Sequence, residues 1–160
     1  MELYLMRHGI AEDGQPGSAD SARSLTPEGR TRAAKVLRLA RRTGLQPDLI
    51  LSSPYVRAMQ TAKIASEELS VDTAIVELPA LVPHSSPEAV WRELRDYSDY
   101  NALLLTAHEP LLGALTGYVL GAPELRVAMK KAGIVRVDLE FLGLVPRGVL
   151  RWMIVPAMVE

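Results

Sequence analysis

The chain has 160 residues, 18 basic and 19 acidic side chains, a net charge of -1 and no cysteine. That length suits one domain over 1–160 with a full core, and the missing thiols exclude disulfides, thiolate zinc sites and cysteine-nucleophile chemistry. Near-neutral charge excludes a general attraction to nucleic acid or to an anionic membrane, so any anion site must be local.

Residues 3–6 form an apolar run, as expected of a strand covered on both faces, and Arg7-His8-Gly9 follows where it breaks. Carboxyl ends of strands in open α/β sheets bind ligands, and a guanidinium beside an imidazole there offers a phosphate clamp next to a nucleophile. Residues 11–24, rich in Gly, Ser, Asp and Ala, read as a long loop near this junction, with Ser18, Asp20 and Arg23 as candidates for the substrate entrance. Thr26 caps a helix that begins at Pro27, turns Ala33, Val36, Leu37 and Ala40 inward, and stops at Gly44. Its Arg30, Arg38, Arg41 and Arg42 read as a solvated face.

A second apolar run, 49–51, leads into Ser52-Ser53-Pro54-Tyr55-Val56-Arg57. A helix from about Pro54, with Ala58, Ala62, Ala65 and Leu69 inward, places Arg57 in its first turn beside unpaired backbone amides. After a third run at 74–76, Ser86 and Pro87 open a helix bearing Val90, Trp91 and Leu94. Residues 102–105 precede Thr106-Ala107-His108-Glu109-Pro110, and Pro110 opens a helix that runs to Gly121. Alternation of Val135, Val137 and Leu139 with polar residues, then a run at 149–155, predicts a hairpin at the sheet edge. The order of elements predicts an α/β sandwich in which His8, Arg57 and His108 arrive from separate strand-to-helix junctions. No leader-like start and no apolar run near the ~20 residues that span a bilayer set the expectation of a soluble, cytoplasmic protein.

Taken together, Leu5-Met6-Arg7-His8-Gly9, Leu25-Thr26 with Gly29, Ser53-Pro54 with Arg57-Ala58 and Gln60-Thr61-Ala62, and His108 resemble the histidine phosphatase superfamily. The short chain, residues 20–26 and residues 78–83 look most like its phosphohistidine phosphatase SixA branch. The resemblance implies a phosphoglycerate mutase-like fold, a three-layer α/β/α sandwich with a mainly parallel sheet, and a phosphatase that needs no metal or other cofactor. It implies that His8 attacks phosphorus, that Arg7 and Arg57 bind the phosphoryl oxygens, and that His108 stabilises the transferring group before water releases phosphate. The histidine must keep one ring nitrogen's lone pair free while the other holds its proton against an acceptor, which the resemblance assigns to the Gly9 carbonyl. Arg7, Arg57, His108, Gly9 and Arg23 are thus the expected substrate-binding set.

A phosphohistidine substrate releases imidazole, whereas an ester must expel an alcohol and needs a positioned general acid. Residues 77–84 offer only Glu77 and His84 for that task and no clear match to the acid motif of the mutases. The leading expectation is therefore hydrolysis of phosphohistidine on a protein partner such as a phosphorelay domain. Small phosphomonoesters are the runner-up, and a non-catalytic phosphoprotein-binding module is the rival of a different class.

Overall fold

The computed structural model describes residues 1–159. Among them, β1 (Glu2–Arg7), β2 (Leu49–Ser52), β3 (Val76–Glu77), β4 (Ala102–Ala107), β5 (Ile134–Leu139) and β6 (Gly148–Ile154) form one sheet in the order β3-β2-β4-β1-β5-β6. The strands from β3 to β1 run parallel, while β5 lies antiparallel to β1 and β6 antiparallel to β5. The predicted hairpin thus closes one side of the sheet, with β6 as its edge. The run at 74–76 contributes less than expected, because only Val76 and Glu77 reach the neighbouring strand.

Helices α1 (Pro27–Arg42), α2 (Val56–Leu69), α3 (Pro87–Leu94) and α4 (Leu111–Val119) cover the sheet. Alternation along each strand sorts its side chains between two cores. Leu3, Leu5, Leu103 and Leu105 pack with Val90, Trp91, Leu94, Leu112 and Leu115, from α3 and α4. Tyr4, Met6, Ile50 and Leu104 pack with Ala33, Val36, Leu37, Ala62 and Ala65, from α1 and α2. The result is a three-layer α/β/α sandwich, and the apolar runs of β1, β2 and β4 follow because neither face of the sheet meets water at these central strands. Among the described residues, no helix is long and apolar enough to cross a membrane.

Helix boundaries follow local chemistry. Thr26 Oγ1 accepts from Gly29 N at 2.9 Å, and Pro27 fills the first position. Helix α2 starts later than expected, since Tyr55 is its N-cap, yet Arg57 still occupies the first turn. Pro110 likewise stands before α4 as its cap.

The first turn of α1 presses against the chain that leaves β1. A Cβ on Gly29 would stand 2.1 Å from Ile10 O and 2.8 Å from Ile10 N, both backbone atoms that cannot swing away. Gly29→Ala is therefore expected to cost about 1–3 kcal/mol, read as a lower urea midpoint. An unchanged midpoint would mean that this contact yields freely.

Candidate active site

Strand register brings the site together. Arg7 pairs with Ala107 across β1 and β4, and Ser52 pairs with Thr106 across β2 and β4, so His8, Ser53 and His108 emerge at one level. Backbone bonds extend the ladder past the strands: His8 N donates to Ala107 O at 3.0 Å, and Ser53 N donates to Thr106 O at 3.0 Å. Ala132, in the connection before β5, donates from its amide to the carbonyls of Arg7 and His8 and fixes the strand end from the other side.

A cavity of about 400 Å³ opens at this level, lined among others by Arg7, His8, Arg23, Arg57, His84 and His108. The imidazoles of His8 and His108 lie 5.0 Å apart between centroids, and both are almost fully buried. Gly9 does not line the cavity and acts through its backbone. His8 Nδ1 donates to Gly9 O at 2.7 Å, since a carbonyl can only accept, and this leaves the Nε2 lone pair available. Arg57 Nε donates to that Nε2 at 3.2 Å.

Each polar group is held by a neighbour. Arg57 is 3% exposed, and its remaining donors bind Asp20 O at 2.8 Å and Asp20 Oδ2 at 3.0 Å. Burial pushes the Asp20 carboxyl up, but the hydrogen bonds and charges of Arg57 and Arg23 together outweigh it and lower the group from its ordinary value. Arg23 donates to Asp20 Oδ1 at 2.8 Å and to Glu12 O at 3.0 Å, which ties the 11–24 loop over the cavity. Thr61 accepts from Gly9 N at 3.2 Å and donates to Arg57 O at 2.7 Å, coupling the turn after His8 to the start of α2.

His108 Nε2 lies 2.8 Å from Ser53 Oγ, which also accepts from Tyr55 N. The hydroxyl keeps its proton and a second lone pair, so either tautomer of His108 satisfies this contact; the one in which Ser53 donates to Nε2 places the ring proton on Nδ1. That Nδ1 and Arg7 Nε are both buried without a partner among the described residues. Buried donors in such a position cost free energy unless an acceptor arrives, and a phosphoryl oxygen is one. Arg7 is anchored at its other end by a bond from Nη1 to Met129 O at 2.7 Å.

Sequence reasoning quoted Ser53 and Glu109 only as parts of motifs, and it missed Lys131. Glu109 lines the cavity with a carboxyl that burial pushes up, against the opposing pull of Arg7 and the amides of Gly113 and Met129. Of the two proton-donor candidates, His84 is exposed at the cavity rim, while Glu77 is exposed on β3 and does not line the cavity.

Burial drives His8 down from the ordinary 6.5 to about 4; Arg57, Arg7 and Lys131 add to this, and the Gly9 carbonyl opposes it. Burial, then His8 and Arg57, drive His108 to about 3. Both rings are therefore neutral at pH 7. An unfolded chain takes up protons near 6.5 while the folded chain does not, so the stability these rings contribute is complete above pH 6.5. It is lost as pH falls toward 4 and below. Denaturation midpoints should drop across that window, less steeply in His8→Asn; equal slopes in the two proteins would contradict this.

The sequence profile of the histidine phosphatase superfamily (branch 1) matches residues 3–82. An uncharacterized protein of Picosynechococcus sp. is 37% identical over 139 residues, 84% of this chain and 83% of its own. Phosphohistidine phosphatase SixA of Escherichia coli (strain K12) is 27% identical over 117 residues, 72% of this chain and 71% of its own. The structure of the protein histidine phosphatase SixA complexed with tungstate superposes with a TM-score of 0.89 and 25% identity, covering 100% of both chains.

Proposed function

This chain belongs to the histidine phosphatase superfamily and is a phosphatase, and from that footing we propose that it hydrolyses phosphohistidine on a protein partner through a phospho-His8 intermediate. The observation that carries this reading is the His8 ring, with its Nδ1 proton held on Gly9 O and its Nε2 facing the same cavity as Arg7, Arg57 and His108.

In the first step, the Nε2 lone pair forms a bond to phosphorus as the bond from phosphorus to the substrate nitrogen breaks. The substrate imidazole leaves neutral when its other nitrogen already carries a proton. Arg57 Nε, which covers Nε2, passes its hydrogen bond to a phosphoryl oxygen as phosphorus approaches. Arg7 Nε and His108 Nδ1 supply further donors where negative charge spreads over the equatorial oxygens. Water then attacks phosphorus, the bond to Nε2 breaks, and His8 returns to the neutral ring with its proton still on Nδ1. One phosphoramidate bond is exchanged for another in the first step, so no strong general acid is required. The open approach fits a protein side chain: the connection from β3 to α3 holds only the short turn Pro79–Leu81 among the described residues.

Small phosphomonoesters are the second reading, and Glu109 is the observation in its favour, because a half-buried carboxyl with a raised pKa can carry a proton to an alkoxide. Two peptides of one sequence, phosphorylated on histidine or on serine, separate the readings. The expected kcat/KM is at least about 100-fold higher for the phosphohistidine peptide, the lower end of what a missing general acid costs an ester. A preference for phosphoserine would favour the ester reading, and turnover of neither peptide nor of p-nitrophenyl phosphate would favour a binding module.

A further inference from the structure

Beside the catalytic cavity lies a second cleft of about 570 Å³, bounded by the start of α1, the connection before β5 and residues 155–157. Arg7 and Lys131 line both spaces, so the two are adjacent and share a wall. Among the described residues its charged lining is cationic: Arg7, Arg32, Lys130 and Lys131. Its floor is apolar, with Ile10 and Val155 both half-buried. In a chain of net charge -1, this is a local concentration of positive charge.

Two arginines of the other basic cluster are otherwise engaged. Arg38 makes a two-point contact with Glu68, and Arg41 donates to Glu68 O at 3.0 Å, so that face of α1 is bound to α2. Lys130 and Lys131, by contrast, stand exposed at the cleft, and Arg32 adds its guanidinium although it also meets Glu28 at 3.1 Å.

We infer that this cleft is a docking groove for an acidic segment of the phosphorylated protein, whose carboxylates meet Lys130 and Lys131 while its aliphatic carbons cover Ile10 and Val155. The inference rests on the phosphohistidine reading and deepens it. A carboxylate-bearing segment is the occupant because the charged side chains among the described lining residues are cations, and because the cleft adjoins the catalytic cavity across Arg7 and Lys131, next to any polypeptide with its phosphohistidine over His8. Opposite charge at such a rim steers encounter and orients the partner.

The test uses two phosphohistidine peptides with the same apolar residues around the target, one carrying glutamates in its flanks and the other serines. Wild type is expected to favour the acidic peptide by about 10-fold in kcat/KM, carried by KM and shrinking as salt rises. Lys130→Glu and Ala157→Glu, both at exposed positions of the cleft, should erase that preference. Their turnover of phosphoramidate should stay within about 2-fold of wild type, which guards against a folding defect. Equal rates for the two peptides with wild type, or equal losses on peptide and phosphoramidate in the variants, would overturn the groove while leaving the substrate reading intact. Hydrolysis of p-nitrophenyl phosphate but of neither peptide would remove the substrate reading and the groove with it. A concentration-dependent dimer that Lys130→Glu dissolves would assign the cleft to a second copy and overturn it as well.

Discussion

Replacing His8 by asparagine is expected to lower phosphohistidine turnover by roughly 10,000-fold or more and to leave the fold intact, because the nucleophile is lost while little else moves. The asparagine amide can still donate to Gly9 O, as Nδ1 does now, so the turn at the end of β1 keeps its bond. What disappears is the lone pair at Nε2. Arg7, Arg57 and His108 remain in the cavity and should still bind inorganic phosphate or tungstate. Residual catalysis above water would then measure what the oxyanion donors achieve alone. A His8→Asn protein within about 10-fold of wild type would mean that phosphorus is attacked by another group.

Loss of the Arg57 guanidinium should be the next largest effect, about 1,000-fold in kcat/KM for Arg57→Ala, comparable to removing an arginine that neutralises a transferring phosphoryl group. Arg57→Lys should restore little. Three donors of this side chain are committed in fixed directions, to His8 Nε2, Asp20 O and Asp20 Oδ2, and an ammonium cannot reproduce that planar array. Asp20→Asn should fall between, about 10-fold down, since it keeps the shape and removes the charge that orients Arg57. The Asp20 side chain is 57% exposed, so it rehydrates when its partner is gone and the stability cost of Arg57→Ala should be modest. If Arg57→Lys matched wild type, the guanidinium geometry would be irrelevant and the proposed contact with a phosphoryl oxygen would be wrong.

Much of the fold was legible because its central strands are buried on both faces. Leu3 to Met6 are all fully inaccessible, as are Leu103 to Leu105, so these stretches had to be apolar whatever their neighbours. The carboxyl ends of β1, β2 and β4 then delivered His8, Ser53 and His108 at fixed offsets, and Thr26 with Pro27 marked the start of α1 by local chemistry alone. The supports of the site left weaker traces. Asp20 lies in a polar, exposed loop whose path over Arg57 depends on Arg23 and on the short turn Asp20–Ala22, and nothing in its composition distinguishes an ion-pair partner from a solvated side chain. Ser53 belonged to a visible motif, but its bond to His108 spans 55 positions and follows only from the pairing of β2 with β4. Met129 and Lys131 sit in a connection with no helix or strand, so no periodicity announced that their chain would buttress Arg7 and edge the cavity. Glu77 and His84 were equal candidates in sequence because they bracket one short stretch; the brief strand β3 ends the equality by carrying Glu77 away from the cavity.

In the proposed reaction, Nε2 of His8 becomes covalently bound to phosphorus. Acid-free quenching of a single turnover with radiolabelled phosphohistidine peptide, followed by mass mapping of the labelled protein, reads that bond. The expected result is a transient, acid-labile and alkali-stable label on the peptide that contains His8, formed and discharged at rates matching turnover. Label confined to another residue, or full turnover with no labelled protein at any time point, would contradict it.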